Sequence, residues 1–178
     1  MNVSRRTAVA VLSAAALGGS AVTAVTASGH DNGRHQGRHG DNRGEHRGRP
    51  LLKQTLAPSI PTDAMLNGNK PGGVPWVLTR GEARLRSDGT LQVEVRGLVI
   101  PVAPFTGTPG PVTMVSASLY CGASSTAQGT TPSVPISMTG DAFMEGPVTV
   151  PAKCLQPTVL VHPNGATTTY IAATGFGG

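Results

Sequence analysis

Histidine and cysteine are the side chains in this sequence best suited to chemistry, and their placement is uneven. His30, His35, His39 and His46 crowd into one segment, while His162 stands alone far downstream. Neutral imidazoles ligate zinc, copper and nickel, and His-rich tracts hold such ions loosely. No cysteine joins the four, their spacing is irregular, and the glycines between them make ordering a ligand set costly. The tract is therefore expected to be a solvated, positively charged spacer, with weak copper or zinc binding as its alternative chemistry and no resident cofactor. The two cysteines, Cys121 and Cys154, show neither a C-x-x-C spacing nor a neighbouring histidine. In an exported chain such a pair is expected to form a structural disulfide, closing a loop of about 34 residues.

Catalytic patterns are missing from the rest. Beyond residue 50 there are one histidine and six scattered carboxylates, with no G-x-S-x-G, H-E-x-x-H, phosphate loop or dinucleotide fingerprint. A triad would need His162 with Asp88 or Asp141, and a glycosidase pair would need carboxylates such as Glu82 and Glu94. Nothing in the sequence brings the first set together, and the second only shares a polar sheet face. Trp76, the sole tryptophan, sits between Pro75 and Val77 after Gly72-Gly73. It is expected to plug the edge of the core, with an exposed anchor for a partner as the alternative. Trp76 and His162 are the candidate binding-surface residues, His162 being expected at a solvated hairpin end.

The elements that must carry these residues follow from composition. Met1 to Ala27 has the form of an export signal: Arg5-Arg6, an apolar run from Ala8 to Leu17, then small residues suited to cleavage. The run is too short to span a bilayer, and its flanks fit general secretion better than twin-arginine export. Residues 28–50 have no aliphatic or aromatic side chain apart from the closing Pro50, so this linker is expected to be disordered. Of the net charge of +5, residues 1–27 and 28–50 supply +2 each, leaving +1 for residues 51–178. The folded part has no basic face with aromatic stacking groups, which argues against nucleic acid as a partner.

Residues 51–178 are expected to form one all-β domain. With 24 glycines and 15 prolines in the chain, no stretch free of both exceeds ten residues there, which suits strands and excludes a helical bundle. Apolar and polar residues alternate through Glu82–Arg86 and Leu91–Arg96. A two-residue turn would mix the faces. A three-residue loop, Ser87-Asp88-Gly89, pairs Leu85 with Leu91 and Ala83 with Val93, and puts Gly89 where a left-handed residue is needed. Arg84, Arg86, Gln92 and Glu94 then form a wet face. Further strands are expected near 113–121, along Val134, Ile136 and Met138, and at Val148–Val150. A last hairpin runs Thr158–His162, turns at Asn164-Gly165 and returns along Thr167–Ala173. Gly122–Ser133 is expected to be a mobile tip. Seven or eight short strands imply an antiparallel β-sandwich, immunoglobulin-like or CHRD-like, with one disulfide.

The run Gly72-Gly73-Val74-Pro75-Trp76, Arg80–Leu85, Asp88-Gly89, Leu91–Leu98 and Val112-Thr113 resembles small secreted actinomycete proteins of unassigned function, over most of residues 51–178. More distantly it resembles CHRD (chordin-repeat) domains, sandwiches related in architecture to copper/zinc superoxide dismutase. Where those strands tend to carry His-x-His this chain has Ser116-Ala117-Ser118, and His162, matching a second family histidine, stands alone. The resemblance therefore implies a sandwich without the metal or the dismutase activity. Together these readings lead to the expectation of a secreted, non-enzymatic module of the envelope or extracellular space. It would bind a cell-envelope polymer or a secreted protein. Metal handling by the histidine tract and inhibition of secreted proteinases are the alternatives.

Overall fold

A computed structural model of the chain describes residues 49–175; the expected signal, nearly all of the linker and the four tract histidines lie outside the described residues. The described chain is all-β, with no helix. Its strands are β1 (Pro50–Pro58), β2 (Lys70–Pro71), β3 (Arg80–Arg86), β4 (Thr90–Arg96), β5 (Met114–Cys121), β6 (Gly129–Thr130), β7 (Val134–Pro135), β8 (Ala142–Pro147), β9 (Pro157–Pro163), β10 (Thr169–Tyr170) and β11 (Ala172–Thr174).

The long strand β1 serves two sheets. Its first half pairs antiparallel with β3 (Lys53 opposite Arg84), and β3, β4 and β8 continue that sheet. Its last residues pair with β11 (Leu56 opposite Thr174), leading through β9 to β5, which β6 and β7 flank. The two sheets are thus one antiparallel sheet folded at β1 and nearly closed on itself. The far seam is closed by contact where β8 passes β6 and β7: a Cβ on Gly146 would lie 2.6 Å from Pro132 Cδ, and Thr149 N–H donates to the Gln128 carbonyl at 3.0 Å. Residues from both sheets fill the interior, among them Leu91, Val93 and Met144 from one and Val115, Leu119 and Val161 from the other, all fully buried.

The β3–β4 hairpin has the expected register, Leu85 opposite Leu91 and Ala83 opposite Val93. Gly89 adopts a φ of 82° and its N–H returns to the Arg86 carbonyl at 3.0 Å. Arg84, Arg86, Gln92 and Glu94 are exposed or half-buried. The disulfide Cys121–Cys154 is formed, with Cα atoms 5.1 Å apart, tying the end of β5 to the segment before β9.

Four expectations are corrected. Met138 does not line a strand: it is 70% exposed in the turn Ser137–Asp141, where the Ser137 carbonyl accepts from Gly140 N–H and the Asp141 carbonyl from Ser137 N–H. Val148–Val150 is not a strand; the edge strand is β8, whose Gly and Pro hid it from a propensity reading. The Asn164-Gly165 turn forms, but the return leg does not run straight back. Val161 pairs with Ala172 rather than with Thr168, because β10 leaves to join β2 in a short parallel pair. The Gly122–Ser133 segment is an exposed tip only at Ala123–Thr126; its second part is fastened to β5, where the Ser118 and Thr130 hydroxyls meet at 2.7 Å and buried Thr131 accepts from Ala117 N–H at 3.0 Å.

The second sheet is covered on both faces. The chain from Ser59 to Pro71 folds over its outer side, where Tyr120, Leu160, Tyr170 and Ala173 form a small second core against Leu66 and Ala127. Tyr170 Oη donates to the Ala64 carbonyl at 2.7 Å, and Asn67 Nδ2 donates to the carbonyls of Gly122 and Ser124. Ser116 and Ser118, on this outer face, are buried as well.

Two measurements test this frame. Replacing both Cys121 and Cys154 with serine is expected to lower stability by about 3–4 kcal/mol, the chain-entropy contribution of a loop this long, in equilibrium urea unfolding. Gly146→Ala is expected to cost about 1–3 kcal/mol by overpacking the seam; an unchanged unfolding midpoint would show the seam to be open.

Candidate functional site

Trp76 and His162 are both placed by the folded-over segment. Ser59, buried just past β1, donates its N–H to the Ile171 carbonyl at 3.0 Å and accepts from Trp76 N–H at 2.9 Å. Trp76 is 4% exposed and packs into the main core. As a plug it fulfils the core reading, and as an exposed anchor it is excluded. His162, expected at a wet hairpin end, is 0% exposed. The correction has a topological cause. A straight two-residue hairpin would set His162 opposite Thr167, but β10 swings across, and the Thr169 carbonyl sits 2.7 Å from Nδ1. A carbonyl only accepts, so Nδ1 carries the proton and Nε2 holds the lone pair. Burial pushes the imidazole below its usual range, partly offset by the Thr169 carbonyl. The ring is therefore neutral near pH 7.

Ser116 lies directly opposite His162 across β5 and β9, so the Ser-x-Ser strand and the lone histidine do share one face. No hydrogen bond joins them: Nε2 is buried without a partner. The partner of Nδ1 is a backbone carbonyl, so neither Asp88 nor Asp141 completes a triad. Asp88 caps its own turn through Thr90 N–H, and Asp141 accepts from Gly97 N–H. Glu82 and Glu94 are brought opposite each other, but each is engaged by an arginine, Arg84 and Arg96 respectively. The hydrogen bond from Arg84 holds the Glu82 carboxyl below the usual range, so it is ionised rather than poised as an acid. Among the described residues no group of three or more His, Cys, Asp or Glu converges as a metal site.

An apolar concave feature lies at one end of the sandwich, where the Gly72–Trp76 turn meets the loop from Val99 to Val112. It is an apolar groove of about 190 Å³ lined by Gly72, Gly73, Trp76, Ile100, Phe105 and Ile171, with Pro163 and Thr169 near His162. The long loop is ordered by its own bonds: Ile100 N–H to the Thr108 carbonyl at 2.9 Å and Gly107 N–H to the Ile100 carbonyl at 2.8 Å. Asn164, in the left-handed turn after β9, ties its base down by donating to the Pro111 carbonyl and accepting from Thr113 N–H. Phe105 packs over Gly110, and yet it stays 38% exposed; Val102 and Val77 are exposed at the same loop and its root.

One polar atom in this apolar wall lacks a partner. Trp76 Nε1 is buried and makes no hydrogen bond. It lies beside Gly72, where an added Cβ would come within 2.9 Å of it. An unpaired buried donor costs about 1–3 kcal/mol, and it is one of three such side-chain atoms among the described residues, with Asn69 Oδ1 and His162 Nε2. Sequence reading singled out Trp76 but missed Phe105 and Ile100, whose loop carries no motif; its apolar residues set between prolines were the only signal. Comparison with protein-family models, curated proteins and solved structures returns no match, so function must be argued from these residues.

The buried imidazole makes stability depend on pH with a definite sign. Its folded-state affinity for a proton is below that of the unfolded chain, whose histidine titrates near 6.5. Below that pH the unfolded state gains a proton that the native state refuses, so stability falls as pH drops. The stability difference between the native protein and His162→Gln is expected to be independent of pH above about 7.5 and to shrink as pH falls below about 6.5, with a slope of at most ~1.4 kcal/mol per pH unit, measured by urea unfolding.

Proposed function

We propose that the protein is an exported, non-enzymatic binding module whose contact surface is the Trp76 end of the sandwich. It acts in the envelope or extracellular space, on a cell-envelope polymer or a secreted protein. The observation that carries the reading is exposed Phe105 lining an apolar groove, with exposed Val102 on the same loop and exposed Val77 next to Trp76, at the end of a domain whose first sheet turns charged side chains to water. Apolar rims of this kind mark contact sites, since scattered single residues would suffice for a monomer that binds nothing. The disulfide is compatible with an oxidising compartment, and the Arg5-Arg6 leader with its apolar run supports export. The chemistry-bearing side chains support a binding role: His162 is sealed beneath β10, and Glu82 and Glu94 are tied to arginines.

The test is co-sedimentation of the purified protein with cell envelopes. The double variant Val102→Ser, Phe105→Ser is expected to lose at least fivefold in the bound fraction. Met138→Ser, which removes a still more exposed apolar residue from another turn, is expected to bind as the parent does. Equal retention by both variants, or a reproducible turnover by the pure protein, would overturn the reading.

A further inference from the structure

The outward face of the first sheet carries side chains that neither the Trp76 end nor the core uses. Along β8 the inward residues Ala142, Met144 and Gly146 are buried, while Phe143 points outward and is 55% exposed. One exposed apolar side chain is ordinary on a protein surface. This ring, however, stands between two depressions in a polar face. The smaller, of about 40 Å³, is lined by Glu82, Arg84, Gln92, Glu94 and Phe143. The larger, of about 290 Å³, lies where Phe143 and Glu94 meet Arg96 and Asp141. Phe143 and Glu94 are directly opposite each other on β8 and β4, with Gln92 to one side of them along β4 and Arg96 to the other. The two depressions thus follow β4 on either side of one shared pair.

The polar walls are held in place by their own bonds. Arg84 donates to Glu82, and Arg96 Nε donates to Glu94 Oε1 at 2.6 Å. Gln92 Nε2 donates to Glu145 Oε2 at 2.5 Å, and Asp141 accepts from Gly97 N–H at 2.9 Å and from the Thr139 hydroxyl at 3.1 Å. A carboxylate or a guanidinium has more bonding positions than one such contact uses, and the Glu94 side chain is 39% exposed. Order before binding lowers the entropic cost of association. Charge selects the ligand class. Arg84 and Arg96 alternate with Glu82, Glu94 and Asp141, so a polyanion would meet carboxylates beside the ring and a polycation would meet arginines. A neutral sugar fits this mixture: its hydroxyls both donate and accept, and its C–H face packs on an aromatic ring.

We infer that this outer face of the first sheet binds a neutral polysaccharide, one sugar ring lying on Phe143 and neighbouring hydroxyls engaging Glu94, Gln92 and Arg96. An extended chain following β4 reaches both depressions. The site shares no residue with the groove at Trp76, so either can fail without the other.

The probes are cellohexaose and chitohexaose, uncharged β-1,4-linked chains with flat C–H faces, titrated into the full ¹⁵N-labelled protein. At least one is expected to shift the β4 and β8 amide resonances in a saturable way. Phe143→Ser is expected to weaken that binding at least about tenfold, whereas Phe143→Tyr, which keeps the ring, stays within about twofold of the parent. Glu94→Ala, which removes the carboxylate beside the ring, is expected to lose about as much as Phe143→Ser. Phe105→Ser, at the other surface, is expected to bind as the parent does. Polygalacturonate is the charged comparison, since Lys53, Arg80 and Arg86 lie on the same strands outside the depressions. No saturable shift with either hexasaccharide would overturn the site, as would undiminished binding by Phe143→Ser. Tighter binding of polygalacturonate, abolished by added salt, would replace sugar recognition with a merely charged face. None of these outcomes decides envelope binding by the Trp76 end, which the rim variants test separately.

Discussion

The fold depends on one strand being shared. Lys53, Gln54 and Thr55 pair with β3, while Leu56, Ala57 and Pro58 pair with β11, so a single stretch of backbone is common to both sheets. That sharing converts what would be two open sheets into one sheet folded on itself, and it reduces exposed edges, which are an aggregation hazard. It also dictates where the chain goes next. Leaving β1 on the second sheet, the backbone bonds through Ser59 to both Ile171 and Trp76, which sets the tryptophan against the end of the core.

The same exit explains why the second sheet is buried on both sides. Residues 59–71 have to cross its outer face, and Leu66, Asn67 and Asn69 fasten them there against Tyr120 and Tyr170. Antiparallel sheets commonly keep one face wet, and the first sheet does so with Arg84, Gln92 and Glu94. Covering the other sheet takes His162, Ser116 and Ser118 out of water together. The imidazole is held in one tautomer by the Thr169 carbonyl, and its role is that of a structural hydrogen-bond donor under β10.

At the loop end the balance of terms is different. Asn164 and the internal bonds of the loop from Val99 to Val112 fix the backbone, so apolar side chains can stand partly exposed without the loop collapsing onto them. Order in the backbone combined with exposed apolar surface is a preorganised arrangement, in which little ordering entropy remains to oppose association. The groove and its rim thus have a physical basis in the way the loop is tied down.

Local pattern carried much of the architecture. Alternation in Glu82–Arg86 and Leu91–Arg96 determined that hairpin down to its register, because a slip of one residue would have turned Leu85 and Leu91 to water. Abundant glycine and proline determined the all-β class, and two cysteines without a metal-ligand pattern determined the disulfide. Tertiary structure alone decided what became of the polar residues on β5 and β9, since the return leg that buries His162 is drawn across it by pairing with β2, far away in sequence. It alone decided that β10 would leave the expected hairpin for β2, and that Ile100 and Phe105 would meet Trp76. Periodicity reports which side of a strand a residue takes; whether that side meets solvent is set by long-range packing, which no local window contains.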